Sequence, residues 1–191
     1  MVRLASLKSL PIEHSQAHVD AGACYIDLRS VSEYLDVHIL GSICLQYERG
    51  PGMYSRARDC IPLDVPFLLL NDGSCDVEEV AAGLRGKGFA VNGALAGGVR
   101  AWSESYGTPA STEIITTSDA PSGLVLDVAD TRVRRWADAQ HLPIENLWTN
   151  AGSIEDPEGV VILAGQGVRA VLAVGMFERA GKQNVVFWKR P

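Results

Sequence analysis

Ala23-Cys24-Tyr25-Ile26-Asp27-Leu28-Arg29 and Leu124-Val125-Leu126-Asp127-Val128-Ala129 are two versions of one apolar run that closes on aspartate. The residues after each run repeat as well. Glu33-Tyr34 and Arg135-Trp136 place an aromatic residue in a short predicted helix. His38-Ile39-Leu40-Gly41 and His141-Leu142-Pro143-Ile144 place a histidine before an apolar turn. Further on, Phe67-Leu68-Leu69-Leu70 and Val160-Val161-Ile162-Leu163 are continuous apolar runs. Each leads to apolar residues at helical spacing: Val77, Val80, Ala81, Leu84, then Val168, Val171, Leu172, Gly175, Met176. Gly88 and Gly181 stand where a helix stop belongs. Strands leading into helices, twice in one chain, read as βαβ units, and unbroken apolar strands imply parallel sheets covered on both faces. The expected fold is α/β, with two tandem modules, each a parallel sheet flanked by helices and the second shortened. Tyr106-Gly107-Thr108-Pro109-Ala110-Ser111-Thr112 is small, polar and proline-bearing, as a linker should be. The boundary is placed there, giving modules over residues 1–108 and 109–191.

Composition narrows the function classes. A hydrophobic fraction of 47% supports a packed core, and a net charge of -6 offers no basic stripe for a nucleic acid. The one local basic cluster, Arg132, Arg134 and Arg135, reads as a solvated helix face. No apolar run spans a membrane, and Met1 to Pro11 lacks the apolar core of a signal peptide, so a cytoplasmic location is expected. Cys24, Cys44, Cys60 and Cys75 then read as reduced thiols, Cys24 and Cys44 within core strands. No pair has C-x-x-C spacing and the four histidines are scattered, so no metal site and no cofactor are expected. The stretch from Glu48 to Asp59, with Gly50-Pro51-Gly52 and three arginines, reads as a loop.

The run I-D-L-R, E-Y, H-I-L-G-S, Gly88-Phe89 and Leu95-Ala96-Gly97-Gly98-Val99-Arg100-Ala101-Trp102 resembles the rhodanese-like sulfurtransferases along most of the first module. The second module is similar to the same family through its strand, its histidine turn and the loop Ala164-Gly165-Gln166-Gly167-Val168-Arg169. It lacks the arginine of D-x-R, and no G-G-x-x-x-W closes it. The resemblance implies that Asp27, Arg29, Glu33 and His38 form a structural polar network, that Gly97-Gly98 sit where a Cβ would crowd, and that Trp102 anchors a core.

In that family the loop reads C-x-x-G-x-R, and its cysteine carries sulfur. Ala164 stands at this position here, and a methyl group cannot carry sulfur. The rest of the loop (Gly165, Gln166, Gly167, Val168 and Arg169) retains a cradle for a small anion, with backbone N–H groups at a helix start and one cation. In the first module the nucleophile position is Asn71 and the basic position is Asp76. Asp72 and Asp76 would repel an anion and disfavour a thiolate. Cys75 lies in the same loop as an alternative nucleophile.

Two functions therefore stand against each other. One is a non-catalytic tandem module that binds or regulates in sulfur metabolism, partnered by a small anion or a protein such as a persulfide-metabolising enzyme. The Gly50-Pro51-Gly52-Met53 segment is similar to tandem modules fused to such hydrolases. The other is a sulfurtransferase working through Cys75. A phosphatase or arsenate reductase needs the same missing cysteine. A shortened second module would also expose an apolar edge for a homodimer to cover.

Overall fold

The structure, a computed structural model, describes residues 6–129, 136, 138–155, 158–165 and 167–191. Two five-stranded sheets are present, and every strand pair in them is parallel. The first is built from β1 (Ser9–Leu10), β2 (Cys24–Asp27), β3 (Ile43–Cys44), β4 (Phe67–Leu70) and β5 (Val91–Leu95), in the order β1-β5-β4-β2-β3. The second is built from β6 (Glu113–Ile115), β7 (Leu124–Asp127), β8 (Gln140–His141), β9 (Val160–Leu163) and β10 (Val185–Trp188), in the order β6-β10-β9-β7-β8. The two orders are the same when each sheet is counted from its own first strand. Helices α1 (Ile12–Asp20), α2 (Val31–Asp36), α3 (Gly52–Cys60), α4 (Val77–Gly86) and α5 (Gly98–Tyr106) flank the first sheet. Around the second, α6 (Ile144–Asn150), a 3-10 turn (Ala151–Ser153) and α7 (Ala170–Arg179) are described. Among the described residues the second module is thus shortened in its helices, while its sheet carries the same five strands.

Strand alternation explains the layering. In β2 and β4, Cys24, Ile26, Phe67 and Leu69 point into a large core, whereas Tyr25, Leu68 and Leu70 point the other way, toward Val19, Val99 and Trp102 of α1 and α5. In β9, Val160 and Ile162 feed the same large core, and Val161 and Leu163 turn to a separate cluster around Trp188. One face of each sheet therefore contributes to a core running through both halves of the chain.

The stretch read as a loop from Glu48 to Asp59 is a correction: it contains α3. Met53, Ala57 and Cys60, at helical spacing, are all buried, and α3 packs against α6. The glycines and proline of this segment cluster at the helix start, where they interrupt no hydrogen-bond ladder. The segment read as a linker is also tied down. Ala110 exchanges backbone hydrogen bonds with His38 at 2.9 and 2.8 Å, and Thr112 N–H donates to the Leu35 carbonyl at 2.8 Å. The basic cluster of Arg132, Arg134 and Arg135 lies outside the described residues.

Of the expected polar network of Asp27, Arg29, Glu33 and His38, the first module joins Asp27 to Arg29, while Glu33 turns to Ser30 and His38 to Tyr34 and Glu178. Asp27, fully buried, takes a hydrogen bond from its own i+2 backbone at Arg29 (3.0 Å) and an ion pair from the Arg29 guanidinium (2.6 Å). Arg29 also donates to the Val37 carbonyl at 2.7 Å, which fixes the far end of α2. Glu33 and Ser30 form a capping box at its start. In the second module Asp127 still accepts from the Ala129 N–H at 3.0 Å, so the backbone half of the motif survives without the arginine half.

The seam between the halves is made by α7 lying against β3. An added Cβ on Gly175 would meet the Ser42 carbonyl oxygen at 2.0 Å and the Ile43 side chain at 3.0 Å. One turn on, Glu178 accepts from the Gly41 N–H (2.9 Å) and faces His38 Nε2 (2.9 Å), while His38 Nδ1 faces the Tyr34 carbonyl (2.8 Å). Gly175→Ala must push the helix off a backbone carbonyl. Overpacking of this kind costs about 1–3 kcal/mol, so the melting temperature is expected to fall by roughly 3–10 °C. A melting curve unchanged by the substitution would show that the close approach does not exist.

Candidate functional site

The loops singled out in the sequence, after Leu70 and after Leu163, leave equivalent strands. β4 and β9 each lie between two neighbours near the middle of their sheets, and each hands the chain to a helix at its carboxyl end. In open α/β sheets this end is where ligands bind.

After β9, Ala164 is buried at 4% exposure, with its carbonyl accepting from the Gly167 N–H at 2.7 Å. Gly165 and Gly167 have φ of +49° and +91°, which allows the tight turn that a side-chain-bearing residue would strain. The Val171 N–H then donates to the Gly167 carbonyl at 2.9 Å, and α7 is under way. Gln166 lies outside the described residues. Arg169 does not hold an open charge over this loop: its Nη1 donates to Glu145 Oε1 of α6 at 2.7 Å. Both side chains are about a third exposed (34% and 29%), so the pair contributes modestly to stability. Its effect on the site is larger, because an incoming anion would have to compete with a carboxylate already in place.

Beside this loop opens a cleft of about 370 Å³. Ala164, Gly165, Gly167 and Val168 form one wall, and Val31 and Leu35 of α2 form the opposite one. Ile114 of β6 and Phe187 of β10 close the apolar part, and Gln46 and Lys189 bring polar groups. The cleft thus sits at the carboxyl end of the second sheet and takes one wall from the first module. Gln46 Oε1 accepts from the Val31 N–H at 3.0 Å, which anchors that wall.

The loop after β4 is closed on itself. Asn71 Nδ2 donates to the Cys75 carbonyl at 3.0 Å, and its Oδ1 accepts from the Ser74 hydroxyl at 3.2 Å. Asp72 accepts from the Ser74 N–H at 2.9 Å, and hydrogen bonding from Ser74 holds its carboxyl below the usual range. Asp76 caps α4, accepting from the N–H groups of Glu78 (2.9 Å) and Glu79 (3.4 Å). The helix-start donors that could hold an anion already have carboxylate partners from the chain itself. Cys75, half-buried against the large core, is pushed up to about 11, first by burial and then by Asp72, Asp76 and Glu79.

The other thiols are further from chemistry. Cys24 in β2 is pushed up to about 11 by burial, and Cys60 at the end of α3 to about 12 by burial and then Glu145. Burial also raises Cys44 in β3, with Asp27 adding to it. None of the four cysteines is among the residues that line the cleft bordered by Ala164. The sequence did not point to Glu145, Gln46 or Lys189. Glu145 lies 24 residues from Arg169, and no local pattern links the two. Among the described residues no group of three His, Cys, Asp or Glu side chains could hold a metal ion, and no helix is long and apolar enough to cross a membrane.

No protein-family model matches this sequence, and no curated protein is significantly similar to it. Solved structures with a similar course of chain include the Alr3790 protein of Anabaena sp., 21% identical with a TM-score of 0.46 over 53% of this chain and 81% of that one. The rhodanese-like domain of the same Anabaena protein is 21% identical with a TM-score of 0.44 over 70% of this chain and 96% of that one. The 3-mercaptopyruvate sulfotransferase SseA of Escherichia coli is 13% identical with a TM-score of 0.44 over 96% of this chain and 98% of that one.

Proposed function

We propose that the chain is a tandem rhodanese-like protein, with modules over residues 1–108 and 109–191, that binds its ligand without transferring sulfur. One observation carries this reading: the residue at the start of the loop after β9, where the family it resembles holds its nucleophile, is Ala164. The repeated sheet order and the equivalent placement of the two loops support the tandem assignment. The closed loop after β4 supports inactivity in the first module, since its helix-start N–H groups are already occupied by Asp76. In this reading the protein acts as a binding or regulatory module in sulfur metabolism. Its partners are a small anion at the Ala164 loop, a protein such as a persulfide-metabolising enzyme, and a second copy of itself.

The competing reading, transfer through Cys75, requires a thiolate. A thiol at about 11 carries roughly 200-fold fewer thiolates at pH 8 than an ordinary thiol near 8.5. The higher intrinsic nucleophilicity of such a thiolate offsets part of this deficit. Alkylation of Cys75 at pH 8 is then expected to run roughly ten- to twentyfold slower than that of free cysteine. Its rate should climb with pH through about 11. Iodoacetamide labelling across pH with peptide mapping measures this, and a midpoint at or below that of free cysteine would revive Cys75 as a nucleophile.

The reading as a whole is tested by incubating the reduced protein with thiosulfate, and separately with a persulfide donor, and then measuring the intact mass. No gain of sulfur is expected in the natural sequence, whereas Ala164→Cys restores an acceptor to the loop and is expected to load. Loading of the natural protein at any cysteine would overturn the proposal.

A further inference from the structure

The cleft beside Ala164 is mostly walled by carbon. Val31, Leu35, Ile114 and Phe187 line it, and the methyl of Ala164 stands where a thiol would have made the lining polar and reactive. Its volume of about 370 Å³ lies at the lower end of the range that small-molecule sites occupy, roughly 300–1,000 Å³. The cleft is large for an inorganic anion alone, and its apolar walls would leave such an ion poorly solvated.

Two of its polar groups are donors without partners among the described residues. The Lys189 ammonium makes no ion pair there. Gln46 gives its oxygen to the Val31 N–H and leaves its amide NH2 unmatched by any described residue. The hydroxyls of Ser30 and Ser32 at the rim are engaged with each other at 3.1 Å, and Ser30 with Glu33. Arg169 is not among the lining residues and is matched by Glu145. One cation and one neutral donor suit a singly charged group. A dianion such as a phosphate ester would keep an unbalanced charge in a chain whose net charge is already -6.

We infer that this cleft is a binding site for a small carboxylate with an apolar body, the apolar part between Val31 and Phe187 and the carboxylate at Lys189 and Gln46. The inference rests on the non-catalytic reading above, because a ligand held against the Ala164 methyl is bound and released unchanged. It also gives the second module a purpose for which loss of the cysteine is an advantage: the floor is apolar, and no thiol is present there to attack the ligand.

The test uses the whole chain and 3-phenylpropionate as probe, monitored by amide chemical shifts and by titration calorimetry. Saturable binding is expected, with the described residues that shift confined to 30–32, 46, 114, 164, 165, 167, 168 and 187–189. The uncharged 3-phenylpropanol is expected to bind at least several-fold more weakly. Lys189→Met should weaken the carboxylate by roughly three- to tenfold and remove the preference over the alcohol, since charged hydrogen bonds at a partly exposed site are worth that much. Ile114→Trp, at a half-exposed edge position that tolerates a larger side chain, should narrow the cleft and abolish binding. Equal binding of acid and alcohol, a footprint elsewhere on the protein, or no shifts up to the solubility of the probe would each overturn the inference. So would thiosulfate giving this footprint while 3-phenylpropionate gives none. These failures leave the sulfur-loading result untouched, so the two readings fail separately.

Discussion

The contact on which the rest of the molecule depends is the bare backbone of α7 at Gly175 pressed against the carbonyl of Ser42. It brings a helix of one module within van der Waals distance of a strand edge of the other, which no larger residue would permit. Glu178, one turn along the same helix, then satisfies the Gly41 N–H and meets His38, so the approach is polar-matched as well as close. His38 is itself stacked on Tyr34 and paired with Ala110 through its backbone. The histidine of the first turn, the chain between the modules and the helix of the second module are locked at one point.

This seam also creates the site. α7 begins at the end of the Ala164 loop, so fixing the helix on β3 fixes the loop opposite α2 and opens the cleft between them. The same packing brings α6 to α3 and sets Glu145 beside Arg169. The cleft and the pairing of Arg169 with Glu145 thus have one structural origin. In the first module, by contrast, Asn71, Asp72 and Asp76 tie the loop after β4 to its own backbone.

The loops after β4 and β9 are built in different physical ways. After β9 an alanine methyl heads the loop, and Gly165 and Gly167 hold the turn with positive φ. After β4, carboxylates cap the donors of the turn, and burial together with those carboxylates pushes the Cys75 thiol up.

Much of the fold was legible in the sequence because its signals are local. The continuous apolar runs at Phe67–Leu70 and Val160–Leu163 are central parallel strands, the D-x-R network closes within eleven residues from Asp27 to Val37, and Ala164 is read directly at the head of the loop after the second run. α3 was missed because Gly50, Pro51 and Gly52 are loop formers by local preference, and only burial of Met53, Ala57 and Cys60 in the core shared with the other module outweighs them. The state of Arg169, the shared core and the cleft were decided by tertiary structure alone. Each depends on residues far apart in sequence meeting across the seam, and neither spacing nor composition encodes which charged side chain from one helix will reach another. The sequence determined two parallel sheets and an alanine at the head of the loop after β9; the packing of α7 on β3 determined that the space beside that alanine is a largely apolar cleft to whose lining Lys189 also belongs.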